Sequence, residues 1–534
     1  MFETKKIPEF KPKFSFRFPL VEKFRKLRED LLVDNDLLFL LTYMASLSTA
    51  HLSRDKIFTM ASETKYSPSK FFAMVRDLAQ KWHYDYATAC ELVAEKIKTE
   101  RVKKLFNRLA NAISAGEPDR EFLEREWRAF KTIRKDEYDR NLESLRKWSD
   151  AYTSLLVSAS LISVVVLLSV VIYSVGDPAS TLIASAFGNF VICLFGVFML
   201  FKAVPKDRKI HNLKIKSKEQ FLASKLLLPS LVVGVMLFLF LGLIPLMLGN
   251  YEFAGSGFLA LGLAFLPIGI LAKIDDKKVS KRDEAFTSFI RSLGAIKGGA
   301  GVSIAEAIRR IDQKNLGELK DLALELQKRL SLGLDPKLCW ERFIGASGSY
   351  LIERLTPIFT DAVELGGDAD AVGEIVSSSN LEMVLLRLKR DLISSGFVNL
   401  IIPLHIAMVS LMLFIDQILT IFTQYLSMLF TTQVGSGGEV FRNIPLQGVN
   451  LGIFAGIPVG LLAQYTFFVI LSITIANFLA SNIVKGGGKF LYMYYASILF
   501  ILSGILMLVI PPIVKWAFTL PSFVGVLAGV VKYV

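Results

Sequence analysis

Seven windows of about 20 uncharged residues decide what this chain can become. They lie at roughly 151 to 175, 179 to 201, 226 to 249, 253 to 272, 393 to 422, 450 to 481 and 490 to 514. At about 1.5 Å of helical rise per residue, each reaches across a hydrocarbon core ~30 Å thick. Two long charged regions, 1 to 150 and 273 to 392, separate these windows. A composition that is 52% hydrophobic yet 21% charged is therefore two populations: segments for lipid and segments for water. The expected fold class is all-α, a polytopic membrane protein with about seven to eight transmembrane helices and two helical-bundle domains in the cytoplasm.

The sidedness follows from the connections. The first 20 residues, MFETKKIPEFKPKFSFRFPL, lack the apolar stretch and cleavage site of a secretory signal. The link KAVPKDRKIHNLKIKSK after Phe201 is rich in Lys and Arg, whereas GDPAS and NYEFAGSG carry neither. Positive charge stays inside, so both charged regions are expected to face the cytoplasm. The expected domains are a basic arm at 1–20, a first helical domain at 21–150, four spans at 151–272, a second helical domain at 273–392, and three or four spans at 393–534. Pro511, Pro512, Lys515 and Pro521 interrupt the last apolar run, so its end reads either as an eighth crossing or as a broken, interfacial one.

The two charged regions repeat. Sliding the chain against itself by about 250 residues lays Phe39 on Phe289, Ala45 on Ala295, Ala50 on Ala300, Ser53 on Ser303, Ala112 on Ala362, Gly116 on Gly366 and Glu124 on Glu374. It also lays Lys104 on Arg354, and the apolar span from Ala151 on the one from Ile401. Within the first copy, Ser67 and Pro68 read as the cap and first turn of a helix, and Gly116 as a helix stop. A stripe of Leu123, Trp127, Phe130, Tyr138, Leu142 and Leu145 predicts a long helix running on into the first span. Within the second copy, KGGAG reads as a break, Ser303 and Glu306 as a capping box, and Asp335 with Pro336 as a helix start.

Sites of chemistry are sparse, and no catalytic, cofactor-binding or metal-binding residue is expected. KGGGKF has Phe490 where a phosphate-binding loop needs a hydroxyl, and KGGAGVS lacks the strand and third glycine of a dinucleotide site. The histidines at 51, 83, 211 and 405 make no ligand spacing with one another or with Cys90, Cys193 and Cys339, which read as buried core residues. An intramembrane aspartyl peptidase needs two carboxylates able to share a proton, and Asp416 stands alone in its span. A lone intramembrane acid marks a packed polar contact more readily than an ion path, and a transporter would carry more such residues. The net charge of +13 suits anionic headgroups, nucleic acid or an acidic protein, and charge by itself does not choose among them.

The start FIRSLGAIKGGAGVSIAEAI and the end AVELGGDADAVGEIV, each in a helical module leading into spans, resemble the type II secretion F family, the membrane platform proteins of type IV pilus-like machines. Residues 286 to 392 carry the pattern best, while the first module, with ANAISAGEPDREFLER, is the more diverged. Four spans after the first module, in place of one, resemble the family's archaeal branch, the archaellum platforms. The resemblance implies a protein that is not an enzyme and needs no cofactor. It implies that a cytoplasmic hexameric ATPase is coupled to assembly, and in archaella rotation, of a filament of pilin-like (archaellin) subunits. The partners implied are that ATPase, the filament subunits, membrane lipids and a second copy of the chain, with no nucleic acid. ATPase contact is then expected at Lys103, Lys104 and Arg108 in the first module and at Lys297, Arg309 and Arg310 in the second. An adhesive pilus or type II-like secretion platform is the alternative reading; a transporter or an intramembrane peptidase is more distant.

Overall fold

The computed structural model describes residues 35–173, 177–249, 253–434 and 459–518. The arm at 1–20 and the question of an eighth crossing lie outside them. Every element described is a helix or turn, apart from one isolated bridge between Ile210 and Ser349. Seven helices are long and apolar enough to cross a membrane, as the all-α polytopic fold requires.

The chain divides into two compact units. The first holds residues up to Arg134 together with Asp361–Asp368. It contains α1 (35–48), α2 (Arg54–Glu63), α3 (Ser69–Trp82), α4 (Tyr86–Lys96), α5 (Glu100–Ser114) and the start of α6 (Asp119–Tyr173). Apolar residues recur at helical spacing on α5, where Val102, Leu105, Phe106 and Leu109 are buried. Phe72 of α3 packs 4.8 Å from Phe106 and 5.5 Å from Phe58 of α2, between ring centroids. Arg134 closes the unit by donating to the Asn35 side-chain oxygen at 2.7 Å.

Ser67 does not cap α3. Its backbone N–H is taken by the Asp36 carboxylate at 3.0 Å, and Pro68 occupies the cap position with no side-chain bond.

The second unit holds the rest of α6, then α7 (Pro178–Ala203), α8 (Lys218–Met247, with a π turn at Leu239–Leu243), α9 (Gly255–Ala300), α10 (Ile304–Arg310), a 3₁₀ turn (Gln313–Leu319), α11 (Lys320–Ser331) and α12 (Pro336–Ser347). Most of α13 (Tyr350–Glu364) follows, then α14 (Ala369–Val434), α15 (Val459–Lys485) and α16 (Leu491–Ala517). The apolar part of α9 ends at Ala272, and its remaining turns are charged. Gly255, Gly262 and Gly269, seven residues apart, let α9 lie against α16 at backbone distance. A Cβ built on Gly262 would stand 2.7 Å from the Ile501 backbone nitrogen.

The repeat is visible helix by helix. Arg54 and Ile304, Tyr86 and Pro336, Glu100 and Tyr350, and Asp119 and Ala369 each open a helix 250 residues apart. Ser53 and Ser303 cap equivalent helices, as do Asp85 and Asp335. Three left-handed residues recur at the same offset: His51 with Gly301, His83 with Gly333, and Gly116 with Gly366. The KGGAG segment is not a break, because α9 runs through to Ala300 and the chain turns only at Gly301. The capping box is half formed: Ser303 accepts from the Glu306 N–H, while the Glu306 carboxylate turns to Arg309 and Arg310.

Candidate functional site

Five segments of the second unit meet at Arg387, in the charged stretch of α14. Its guanidinium donates to the Asp283 carboxylate of α9 at 2.7 Å and to that of Asp207, in the link between α7 and α8, at 2.6 Å. The side chains of both acids are buried, and Arg387 is half-buried. The Ser349 hydroxyl also donates to Asp283, and Asn380 bonds the Asp283 carbonyl at 2.7 Å. Three residues further along α14, Arg390 gives hydrogen bonds to the carbonyls of Val484 at 3.2 Å, Ile483 at 3.0 Å and Pro205 at 3.0 Å. Lys209 pairs with Asp276 at 2.7 Å, and Lys485 pairs with Asp391.

The link is held on its other side too. Leu213 N–H donates to His211 Nδ1 at 3.2 Å, which leaves the proton on Nε2 to bond the Gly345 carbonyl at 3.0 Å. Burial lowers the His211 pKa, in keeping with a neutral ring. Gln220 and Ser217 both donate to Asp275, and Gln220 reaches the Gly348 carbonyl at 3.3 Å.

This hub is a fastener rather than a reaction centre. Burial pushes the Asp283 carboxyl up to about 6 against the pull of Arg387. The two carboxylates outweigh burial at Arg387 and hold its guanidinium charged, its pKa above the usual value. Asp207 and Asp283 thus share a cation, not a proton. Among the described residues no group of three or more His, Cys, Asp or Glu could hold a metal ion. Glycines 486–488 of the KGGGK hairpin serve close approach: a Cβ on them would collide with Arg390, Leu491 and Ile210 respectively.

Within the spans, one chain of polar side chains is linked by hydrogen bonds. Tyr152 donates to Asn477 at 3.0 Å, Asn477 meets His405 at 3.0 Å, and His405 meets Ser503 at 2.8 Å. Asp416 is buried and accepts from Thr466 at 3.1 Å. It borders a cavity of about 490 Å³ whose lining includes Gln417, Thr420 and Lys515 and no second carboxylate.

The basic residues singled out in the sequence are scattered by comparison. Lys104, Arg108, Arg309 and Arg310 are exposed, and Lys103 and Lys297 half-buried. Arg108 pairs with Glu126 at 2.6 Å, and Arg309 and Arg310 both turn to Glu306. The first set lies on α5 and the second on α9 and α10, so the two do not occupy matching places in the repeat. A matching pair does exist. Trp82 and Tyr84 flank left-handed His83, and Leu332 and Leu334 flank left-handed Gly333 at the same offset. All four are exposed, Trp82 by 71% and Leu332 by 78%, large values for apolar side chains outside lipid.

Comparison with known proteins shows what parts of the chain are similar to. The model of the family described as "Type II secretion system (T2SS), protein F" matches residues 40–167. Over this stretch the chain is similar to that family. The match falls on the first module, although the second carries the resemblance more conspicuously to the eye. The first module holds His51 and His83 where the second has Gly301 and Gly333, yet its helices open at the same offset. Flagella accessory protein J of Methanocaldococcus jannaschii is 27% identical over 354 residues, which cover 65% of this chain and 63% of the relative. Flagella accessory protein J of Methanococcus voltae is 22% identical over 356 residues, covering 64% and 61%. The chain thus spans less than two thirds of either relative's length. No solved structure gives a significant match.

Proposed function

We propose that this protein is the membrane platform of a type IV pilus-like machine, an archaellum before an adhesive pilus or secretion system. In this reading a cytoplasmic hexameric ATPase moves the helical modules, and the motion passes into the bilayer to lift pilin-like subunits into a filament. The observation that carries the proposal is α14, one unbroken helix that begins in a charged module, is pinned by the hub, and continues as a span. The names of the relatives favour the archaellum. Four candidate spans separate the two modules in sequence, an even number, and the Lys- and Arg-rich link assigns their side to the cytoplasm.

The ATPase contact is placed on the repeated tips, with the basic residues as steering charges around them. In the second unit, His211 and Gln220 hold the C-terminal end of α12 beside the start of α8, a span. Leu332 and Leu334 precede the other end, about 18 Å away for a twelve-residue helix. Changing Trp82, Tyr84, Leu332 and Leu334 to serine is expected to abolish ATPase pull-down and filament assembly while membrane insertion is unaffected. Neutralising Lys103, Lys104, Arg108, Lys297, Arg309 and Arg310 to glutamine should slow association and make it less sensitive to salt. Undiminished pull-down by the serine variant would remove the tips from the contact.

A second copy of the chain is assigned to another face. Leu381, Leu385, Leu388 and Leu392 are exposed on α14 at alternating spacings of four and three, the seam of a parallel two-helix coiled coil. Leu385→Cys is expected to cross-link two copies in membranes, and Glu at Leu381 and Leu385 to leave monomers. Cysteine variants that stay monomeric under oxidation would argue against this seam.

A further inference from the structure

Three cations of the hub have no carboxylate of their own. Arg390 is buried, and its hydrogen bonds end on main-chain carbonyls. Lys273 follows Ala272, where the apolar part of α9 stops, and lies 5.4 Å from the Tyr494 ring centroid. Lys277 is one turn further on. Among the described residues neither lysine has an acid within ion-pair distance. All three line one cavity of about 500 Å³. The other cations there are matched: Lys209 by Asp276, Lys485 by Asp391, Arg387 by Asp207 and Asp283, and Lys281 by Glu318. Glu284, exposed, is the remaining acid of the lining. Arg390 is buried, Lys273 half-buried and Lys277 exposed, so the cavity carries a surplus of positive charge that is costliest at its buried end.

We propose that this cavity binds the phosphate headgroup of an anionic membrane lipid from the leaflet facing the modules. Depth selects a lipid over a soluble anion. The cavity opens where a span gives way to charge, with Tyr494 at the level where aromatic residues meet headgroups. Ile270 and Ile274, on either side of Lys273, are exposed and offer acyl chains a continuous apolar surface. Basic pockets between transmembrane helices on the cytoplasmic side hold lipid phosphates by the same combination of charge and depth. The headgroup would complete the charge balance of the hub, making the fastening of α9, α14 and the α15–α16 hairpin dependent on the bilayer. The proposal rests on the membrane-spanning fold alone, so it stands or falls independently of the ATPase.

The test uses the full chain, delipidated in detergent. Phosphatidylglycerol, phosphatidylcholine and inorganic phosphate are added separately, with thermal stability and native mass spectrometry as readouts. Phosphatidylglycerol is expected to raise the melting temperature and remain bound, phosphatidylcholine to do neither, and phosphate at millimolar concentration to have no effect. Lys273→Gln with Lys277→Gln should bind phosphatidylglycerol about tenfold or more weakly. Lys273→Arg with Lys277→Arg should keep it. If the glutamine variant does not fold, the wild-type lipid comparison and the arginine variant decide. Equal binding of both lipids, or a glutamine variant that binds like wild type, overturns the proposal. A stability gain from phosphate alone would assign the cavity to a soluble anion and overturn the lipid.

Discussion

Arg387→Ala is expected to cost about 3–5 kcal/mol, enough to unfold most of the protein extracted from membranes. The size comes from what stays behind. Asp207 and Asp283 would both remain buried without the cation that holds them, and removing one partner of a buried pair costs far more than the pair contributes. Adding Asp207→Asn and Asp283→Asn to an Arg387→Met chain removes the charges together, and much of the stability should return. Thermal melts of the three proteins measure the difference. If Arg387→Ala melts within a degree or two of wild type, the hub is not what fastens the second module.

The loss should also depend on pH, in a direction the geometry fixes. Burial raises the Asp283 carboxyl to about 6, above its unfolded value near 3.8. A group raised in the folded state contributes stability that is complete below the unfolded value and is lost as pH climbs through the folded one. Without Arg387 the folded value rises further, so near pH 5.5 Asp283 takes a proton and one of the two abandoned charges is removed. The gap between Arg387→Ala and wild type should therefore be wide at pH 7.5 and narrower at pH 5.5. A gap that widened on acidification would contradict this assignment.

The membrane helices were legible because lipid tolerates so few alternatives: a window of about 20 uncharged residues has to be a satisfied helix. The repeat was legible for a related reason. Helix starts are local events, and Ser303 and Asp335 cap the helices their sequence announces. The hub was not legible, since Arg387 and Asp207 lie 180 residues apart and nothing in RLKRD says which cation turns inward. The available hint was charge crowded where a helix enters lipid. The local rule placed the start of α3 one residue early, since Pro68 and not Ser67 holds the cap position. KGGAG misled in another way, because glycine is permitted in a helix at a cost of about 1 kcal/mol and does not by itself end one. The steering charges were chosen by sign alone, and sign does not disclose that Glu126 and Glu306 already answer three of them.

The largest functional effect should come from softening α14. Ser394, Ser395 and Gly396 lie just beyond the hub, where the helix passes toward its apolar stretch, and a Cβ on Gly396 would meet nothing within 4 Å. Insertion after Gly396 interrupts the rod while leaving the Arg387 and Arg390 contacts and the Lys485 bond to Ser395 on the module side. Four inserted glycines cost the helix about 1 kcal/mol each relative to alanine and leave a joint that bends. Four inserted alanines lengthen the same helix by about 6 Å and turn it, but keep it stiff. Both variants should reach the membrane and bind the ATPase, because the modules and the hub are intact.

If α14 carries motion into the bilayer, the two insertions part company at the filament. The deciding measurement is filament length and number in cells expressing each variant at equal membrane levels. The glycine insertion is expected to abolish filaments, and the alanine insertion to leave a reduced but measurable number. Filaments of normal length and number from the glycine variant would mean that no stiff connection through α14 is needed, and that this protein is not the relay.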